Sequence, residues 1–82
     1  MNELDLNLVV RGVLAQIAPE AAGEELDAEV ELVEQLDLDS MDFLNFVIGL
    51  HEATGIDIPE RDYPQLTTLA GCVEYLRLHS TH

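Results

Sequence analysis

Apolar residues return at the helical period in three separate stretches of this 82-residue chain, and strand-like alternation is absent. In the first, Leu6, Val9, Val10, Val13, Leu14 and Ile17 stand at i, i+3, i+4, i+7, i+8 and i+11. At about 100° per residue they form one stripe. Glu3 and Asp5 fall in the first turn, where the helix dipole favours negative charge. Pro19 stops the segment, because the residue before a proline avoids the helical region. The spacing predicts a helix over residues 3–17.

The second stretch starts at Asp39, a natural N-cap, with Asp42 at the N3 position. Phe43, Phe46, Val47 and Leu50 share one face of a helix over 40–53 and are expected in the core. Met41, Asp42, Asn45, Ile48, Gly49 and Glu52 share the opposite face, which is expected to meet water. Gly55 ends the helix. Ile56-Asp57-Ile58-Pro59 then reads as an extended link with both Ile on one side. A short helix is expected over 59–63, halted by Pro64. Thr67 is expected to cap a last helix over 68–78, in which Leu69, Cys72, Val73 and Leu76 give i, i+3, i+4 and i+7. Arg77 and His79 lie at its C-terminal end, where cations are favoured. Residues 18–38 form a long loop, pinned by Leu26, Val30, Leu32, Val33 and Leu36, with a helical turn near 32–36. A structureless loop of that length inside a small domain is often functional. The periodicity thus predicts an all-α single domain over residues 1–82, a small helical bundle.

Charge narrows the function. Seventeen acids against three Arg and no Lys give a formal net charge of −14. Arg11, Arg61 and Arg77 are scattered and build no phosphate-binding patch, so nucleic acid is excluded as a partner. Anionic lipid is disfavoured for the same reason. A partner with a basic docking surface is permitted, since opposite fields speed encounter. Disorder is the rival for so acidic a chain, but a 48% hydrophobic content in ordered stripes argues against it. No uninterrupted apolar run is long enough to span a membrane. The N-terminal MNELDLNLVV has no basic region, so no secretory signal is expected and the protein is placed in the cytoplasm.

Most chemical motifs are missing. There is no glycine-rich phosphate loop and no G-x-S-x-G elbow. Cys72 stands on an apolar stripe without a nearby His and reads as core. His51, His79 and His82 lack metal-ligand spacing, and no metal site is expected. Asp37-Leu38-Asp39 starts like a calcium loop, but Met41 and Asp42 stand where a ligand and a glycine are needed. What remains is Leu36-Asp37-Leu38-Asp39-Ser40-Met41-Asp42-Phe43. Ser40 sits at the start of the central helix, at the end of a loop, where unpaired N–H groups favour an attached phosphate. An Asp-Ser pair that merely caps a helix is the plain alternative.

The run ELVEQLDLDSMDFLNFVIGLHEATGIDIPE, followed by LTTLAGCVEYL, resembles the acyl carrier protein family over essentially the whole chain. The resemblance implies a four-helix bundle of three main helices and one short helix, with a long loop between the first two. It implies 4′-phosphopantetheine on Ser40, transferred from coenzyme A by a phosphopantetheinyl transferase. Asp39 and Asp42 would hold the helix start. Met41, Asn45, Ile48 and Glu52 would form the recognition stripe for acyl-processing enzymes. Phe43, Phe46, Val47, Leu50, Leu69, Cys72, Val73 and Leu76 would form the core and the walls of a cargo pocket. The protein would be a monomeric carrier that catalyses nothing itself.

Three features depart from the family pattern. Asp37 stands where the family usually has glycine, and Met41 where it usually has leucine. The central helix is also poor in acid, with only Asp42 and Glu52. Carriers of primary fatty acid synthesis have a strongly acidic central helix, so a specialised lipid or polyketide-type pathway is expected. A peptidyl or aminoacyl carrier, and an unmodified interaction module binding a basic partner, are the alternatives. No base and nucleophile pair supports an enzyme.

Overall fold

The computed structural model describes residues 2–19 and 25–80. Residues 20–24 of the acidic link, and His82, lie outside the described residues. The chain is all helical, as the periodicity requires, with three long helices and two short ones among the described residues.

The long helices begin and end for local reasons. Helix α1 (Glu3–Ile17) starts at Asn2, whose side-chain oxygen accepts the Asp5 N–H at 2.9 Å. It ends at Ala18, held extended ahead of Pro19. Helix α3 (Ser40–Thr54) ends at Gly55, which adopts φ +73° in the left-handed region. Helix α4 (Leu69–His79) is capped by Thr68, whose Oγ1 accepts the Gly71 N–H at 3.0 Å. This corrects Thr67 as the expected cap. The Thr67 carbonyl is committed elsewhere, to the Leu32 N–H at 2.8 Å.

Pro64 does not halt the segment before α4. It lies inside a 3-10 helix spanning Glu60–Leu66. Proline bars the α-helical ladder, and the chain takes the tighter form, whose bonds reach back three residues. The Asp62 N–H donates to the Pro59 carbonyl at 2.9 Å in this pattern.

The link between α1 and α3 is ordered where it is described. Its four-residue helix α2 (Leu32–Gln35) and the following Leu36 drop Leu32 and Leu36 into the core. Two backbone bonds join the link to the head of α4: Leu32 N–H to the Thr67 carbonyl, and Ala70 N–H to the Ala28 carbonyl at 3.0 Å. The second satisfies one of the donors that a helix leaves open in its first turn. Gln35 ties the link to itself. Its Nε2 donates to the carbonyls of Asp27 and Val30 at 2.7 and 2.8 Å, and its Oε1 accepts the Asp27 N–H at 2.8 Å. Val30, expected to pin the loop, is exposed. Gln35 does that work by hydrogen bonding.

The core lies where α1, α3 and α4 meet. Leu6, Val10, Leu14, Phe46, Leu50, Leu69, Cys72 and Leu76 are fully buried in it. Gly49 belongs to this contact and not to the water-facing side where the 100° projection puts it. A Cβ on Gly49 would lie 2.6 Å from Cγ1 of Val13 on α1. The two helices therefore approach too closely for any side chain there.

Gly49→Ala is accordingly expected to destabilise the fold by about 1–2 kcal/mol, because overpacking outweighs the roughly 1 kcal/mol that alanine adds in helix propensity. In a Val13→Ala background the same change should become neutral or stabilising. Urea unfolding of the four proteins checks this. Additive effects would mean that the two residues do not meet.

Candidate functional site

The site is built by a turn. Asp37 follows α2 with φ +53°, the one non-glycine residue with a positive φ among the described residues. There the Leu38 N–H donates back to the Val33 carbonyl at 3.0 Å, the six-to-one bond of a Schellman ending. Aspartate is among the few side chains that tolerate this conformation. The turn delivers the chain to Asp39, which is extended at φ −96° and ψ −177°.

Asp39 and Asp42 then close a capping box. The Asp39 Oδ1 accepts the Asp42 N–H at 2.8 Å, and the Asp42 Oδ2 accepts the Asp39 N–H at 3.3 Å. Ser40 is the first residue of α3, exposed, with its hydroxyl free of hydrogen bonds among the described residues. A cleft of about 420 Å³ opens beside it, lined by Val33, Leu38, Asp39, Ser40 and Phe43. Phe43 is half-buried, tilted against Phe46 and edge-on to Tyr63, both at 6.3 Å between ring centroids.

The other expected residues divide into groups. Met41, Asn45, Ile48 and Glu52 are exposed along α3. Phe46, Val47, Leu50, Leu69, Cys72 and Leu76 are buried, while Phe43 and Val73 are half-buried. Among the described residues, those of these eight that line a cleft divide over several. Phe43 lines the cleft beside Ser40, Val47 a second and larger one, and Leu69 and Val73 a third. The Cys72 thiol donates to the Leu66 carbonyl at 3.2 Å, and burial pushes it up to about 12. It is thus inert as a nucleophile near neutral pH.

Three residues of the region have no assigned role at the site in the sequence reading. Val33 and Leu38 wall the Ser40 cleft because the left-handed turn brings them to one side of it. Tyr75 is buried, and its hydroxyl donates to the Asp62 Oδ2 at 2.7 Å. Burial, then this bond, push the hydroxyl up to about 12. Tyr75 also stacks on His79 at 4.0 Å. The larger cleft, about 620 Å³, opens between α3, the 3-10 helix and α4 on this side.

Compared with known proteins, residues 9–76 match the family model described as the phosphopantetheine attachment site. The chain belongs to the acyl carrier protein family. It is 33% identical over 57 residues to the acyl carrier protein of Rubrobacter xylanophilus, covering 70% of each chain. It is 32% identical over 56 residues to that of Lactobacillus johnsonii, covering 68% of this chain and 70% of the relative. The group that the family attaches, 4′-phosphopantetheine, is the cofactor of this carrier.

The residues fit such a group. It joins a protein through a phosphate ester, which needs a reachable hydroxyl. The carrier has two serines, Ser40 and Ser80. Thr54 and Thr67 donate to the Leu50 and Pro64 carbonyls, and Thr68 caps α4. Ser40 combines exposure, a helix N-terminus and an adjoining apolar cleft. Asp37, Asp39 and Asp42 crowd the same turn, so a free anion would meet a repelling field. A covalent ester does not depend on that field.

The left-handed turn predicts opposite signs for two substitutions. Asp37→Gly should leave stability unchanged or raise it by up to about 1 kcal/mol, by relieving left-handed strain. Asp37→Val should lower it by about 1–2 kcal/mol, since a β-branched residue is costly there. Thermal unfolding measures both.

Proposed function

We propose that Ser40 is the attachment residue, and that the protein carries acyl groups as thioesters on the phosphopantetheine arm. The observation that carries this reading is the exposed, unbonded Ser40 hydroxyl at the first position of α3, held by a fixed turn. The chemistry of the thioester belongs to the arm; the protein supplies attachment, shelter and recognition. Asp39 and Asp42 lock the helix start, so that Ser40 reaches a transferase in one geometry. Val33, Leu38 and Phe43 offer apolar surface beside the point of attachment. Met41, Asn45, Ile48 and Glu52 face the partner enzymes, a phosphopantetheinyl transferase among them.

On this reading the chain is a substrate of other enzymes and not itself a catalyst. The few acids on α3 favour a specialised lipid or polyketide-type pathway in the cytoplasm over primary fatty acid synthesis. Asp37 does not favour the unmodified module. It adopts the left-handed turn that a glycine at this position would supply, so its presence leaves the backbone of the site intact.

Intact mass tests the assignment. With coenzyme A, magnesium and a broad-specificity phosphopantetheinyl transferase, the parent should gain one phosphopantetheine and the Ser40→Ala variant none. A gain in both proteins places the arm on another residue. No gain in a folded parent rejects the carrier reading for this chain.

A further inference from the structure

The few basic side chains of this acidic protein are not spread evenly. Of the chain's three Arg and three His, Arg61, His51 and His79 line one cleft, the 620 Å³ hollow between α3, the 3-10 helix and α4. Two acids share it. Asp62 has both carboxylate oxygens spent: Oδ2 accepts the Tyr75 hydroxyl at 2.7 Å and Oδ1 the Gln65 amide at 3.4 Å. Asp57 is exposed, 3.8 Å from His51 Nδ1. The bases are less committed. His51 and His79 each turn Nδ1 to a main-chain carbonyl, of Ile56 at 2.8 Å and of Tyr75 at 2.9 Å. A carbonyl only accepts, so each Nδ1 carries a proton. Each Nε2 makes no hydrogen bond among the described residues. Arg61 is exposed, and its guanidinium makes no hydrogen bond or ion pair among them. Its charge nevertheless reaches the Tyr75 hydroxyl at the cleft wall. Val47, Ile48, Ile58, Pro59 and Tyr63 add apolar wall.

This cleft lies in line with Ser40. At 100° per residue, Val47 and His51 fall within about 20° of Ser40 around the axis of α3. At 1.5 Å per residue they stand about 11 and 17 Å along that axis from it. The backbone of phosphopantetheine is as long as about five extended residues, roughly 17 Å. A thioester at its end therefore reaches the level of the cleft. Apolar surface joins the two places: Phe43 lines the small cleft beside Ser40, Tyr63 lines the larger one, and their rings meet edge-on at 6.3 Å.

We propose that the cargo of this carrier is an acyl chain of several methylenes ending in a free carboxylate, which the cleft holds on Arg61, His51 and His79. This rests on Ser40 being the attachment residue. The polar groups left open in the cleft select that class. The guanidinium fork of Arg61 matches a carboxylate with two parallel bonds. An imidazole Nε2 joins as a donor once the ring is protonated beside that charge. The methylenes lie on the apolar wall. A plain fatty acyl chain would use the wall alone and leave Arg61 and both Nε2 atoms unmatched. A chain with a cationic end would meet like charge here, on a protein whose acids lie mostly elsewhere. The cleft thus sorts cargo by the charge at its far end.

The test compares two loaded forms of the whole protein. A broad-specificity phosphopantetheinyl transferase with magnesium transfers the arm and its acyl group together, from hexanoyl-coenzyme A or from adipoyl-coenzyme A. The two cargoes differ only at the terminal carbon, a methyl group in one and a carboxylate in the other. Intact mass verifies one acyl-phosphopantetheine on the parent and none on Ser40→Ala. In thermal unfolding the adipoyl form should melt about 4 °C above the hexanoyl form, the scale of one partly exposed charge contact in a domain of this size. Self-repulsion alone gives the opposite sign, because the carboxylate adds negative charge to a chain already at −14. Arg61→Gln should abolish or reverse the difference and leave the hexanoyl form within about 2 °C of the parent's. In nuclear magnetic resonance, the side-chain signals of Arg61, His51 and His79 should move more with adipoyl than with hexanoyl. An adipoyl form that melts no higher than the hexanoyl form, or a difference that survives Arg61→Gln, overturns the cargo inference while loading of Ser40 stands. A folded parent that takes no arm, or a Ser40→Ala variant that takes one, overturns the reading of Ser40, and the cargo inference falls with it.

Discussion

Two backbone hydrogen bonds between the link and the head of α4 hold the site in place. Leu32 N–H to the Thr67 carbonyl, and Ala70 N–H to the Ala28 carbonyl, frame an isolated antiparallel bridge between Glu31 and Thr68. They fix α2 against the bundle and send Leu32 and Leu36 into the core. The end of α2 fixes the left-handed turn at Asp37, and that turn aims Asp39 and Ser40. Each step leaves the next little freedom. A serine at the end of a long acidic connection thereby stands on a rigid platform, with no charge pair holding it among the described residues.

Electrostatics act here mainly by opposition. A net charge of −14 on 82 residues repels itself, and the compact state stands against this on the apolar contact of α1, α3 and α4. The close packing that Gly49 permits belongs to that balance. At the site, three carboxylates around Ser40 disfavour any loosely bound anion, which suits a group held by a covalent ester. Along the exposed face of α3 the acidity thins out, and Met41, Leu44 and Ile48 stand at the surface.

Much of this was legible in the residues. The three apolar stripes gave an all-α bundle because a 3.6-residue period buries one face of each helix. The Asp39–Asp42 spacing spelled the capping box, and Gly55 the end of α3. What escaped depends on contacts across the chain. Gly49 looks water-facing in a projection and faces Val13 only because α1 crosses there. Thr67 and Thr68 are equivalent as caps until the link claims the Thr67 carbonyl. Tyr75 looks peripheral on α4 until Asp62 meets its hydroxyl. Gln35 takes the role expected of Val30, because an amide can hold a turn by hydrogen bonds without burial. Asp37 departs from the glycine usual in the family, yet its backbone takes the left-handed conformation that glycine favours, which only the dihedral angle reveals.

The ordered link builds the turn that presents Ser40. Amide hydrogen exchange of the whole protein tests it most directly, at Leu32, Leu38 and Ala70, whose N–H groups make the bonds that hold the link and its turn. These three amides should exchange only with global unfolding, as slowly as the core amides of α1 and α3. Exchange at the rate of an open loop, while α1 and α3 stay protected, would contradict the account: Ser40 would then be carried on a loose strap and not on a platform.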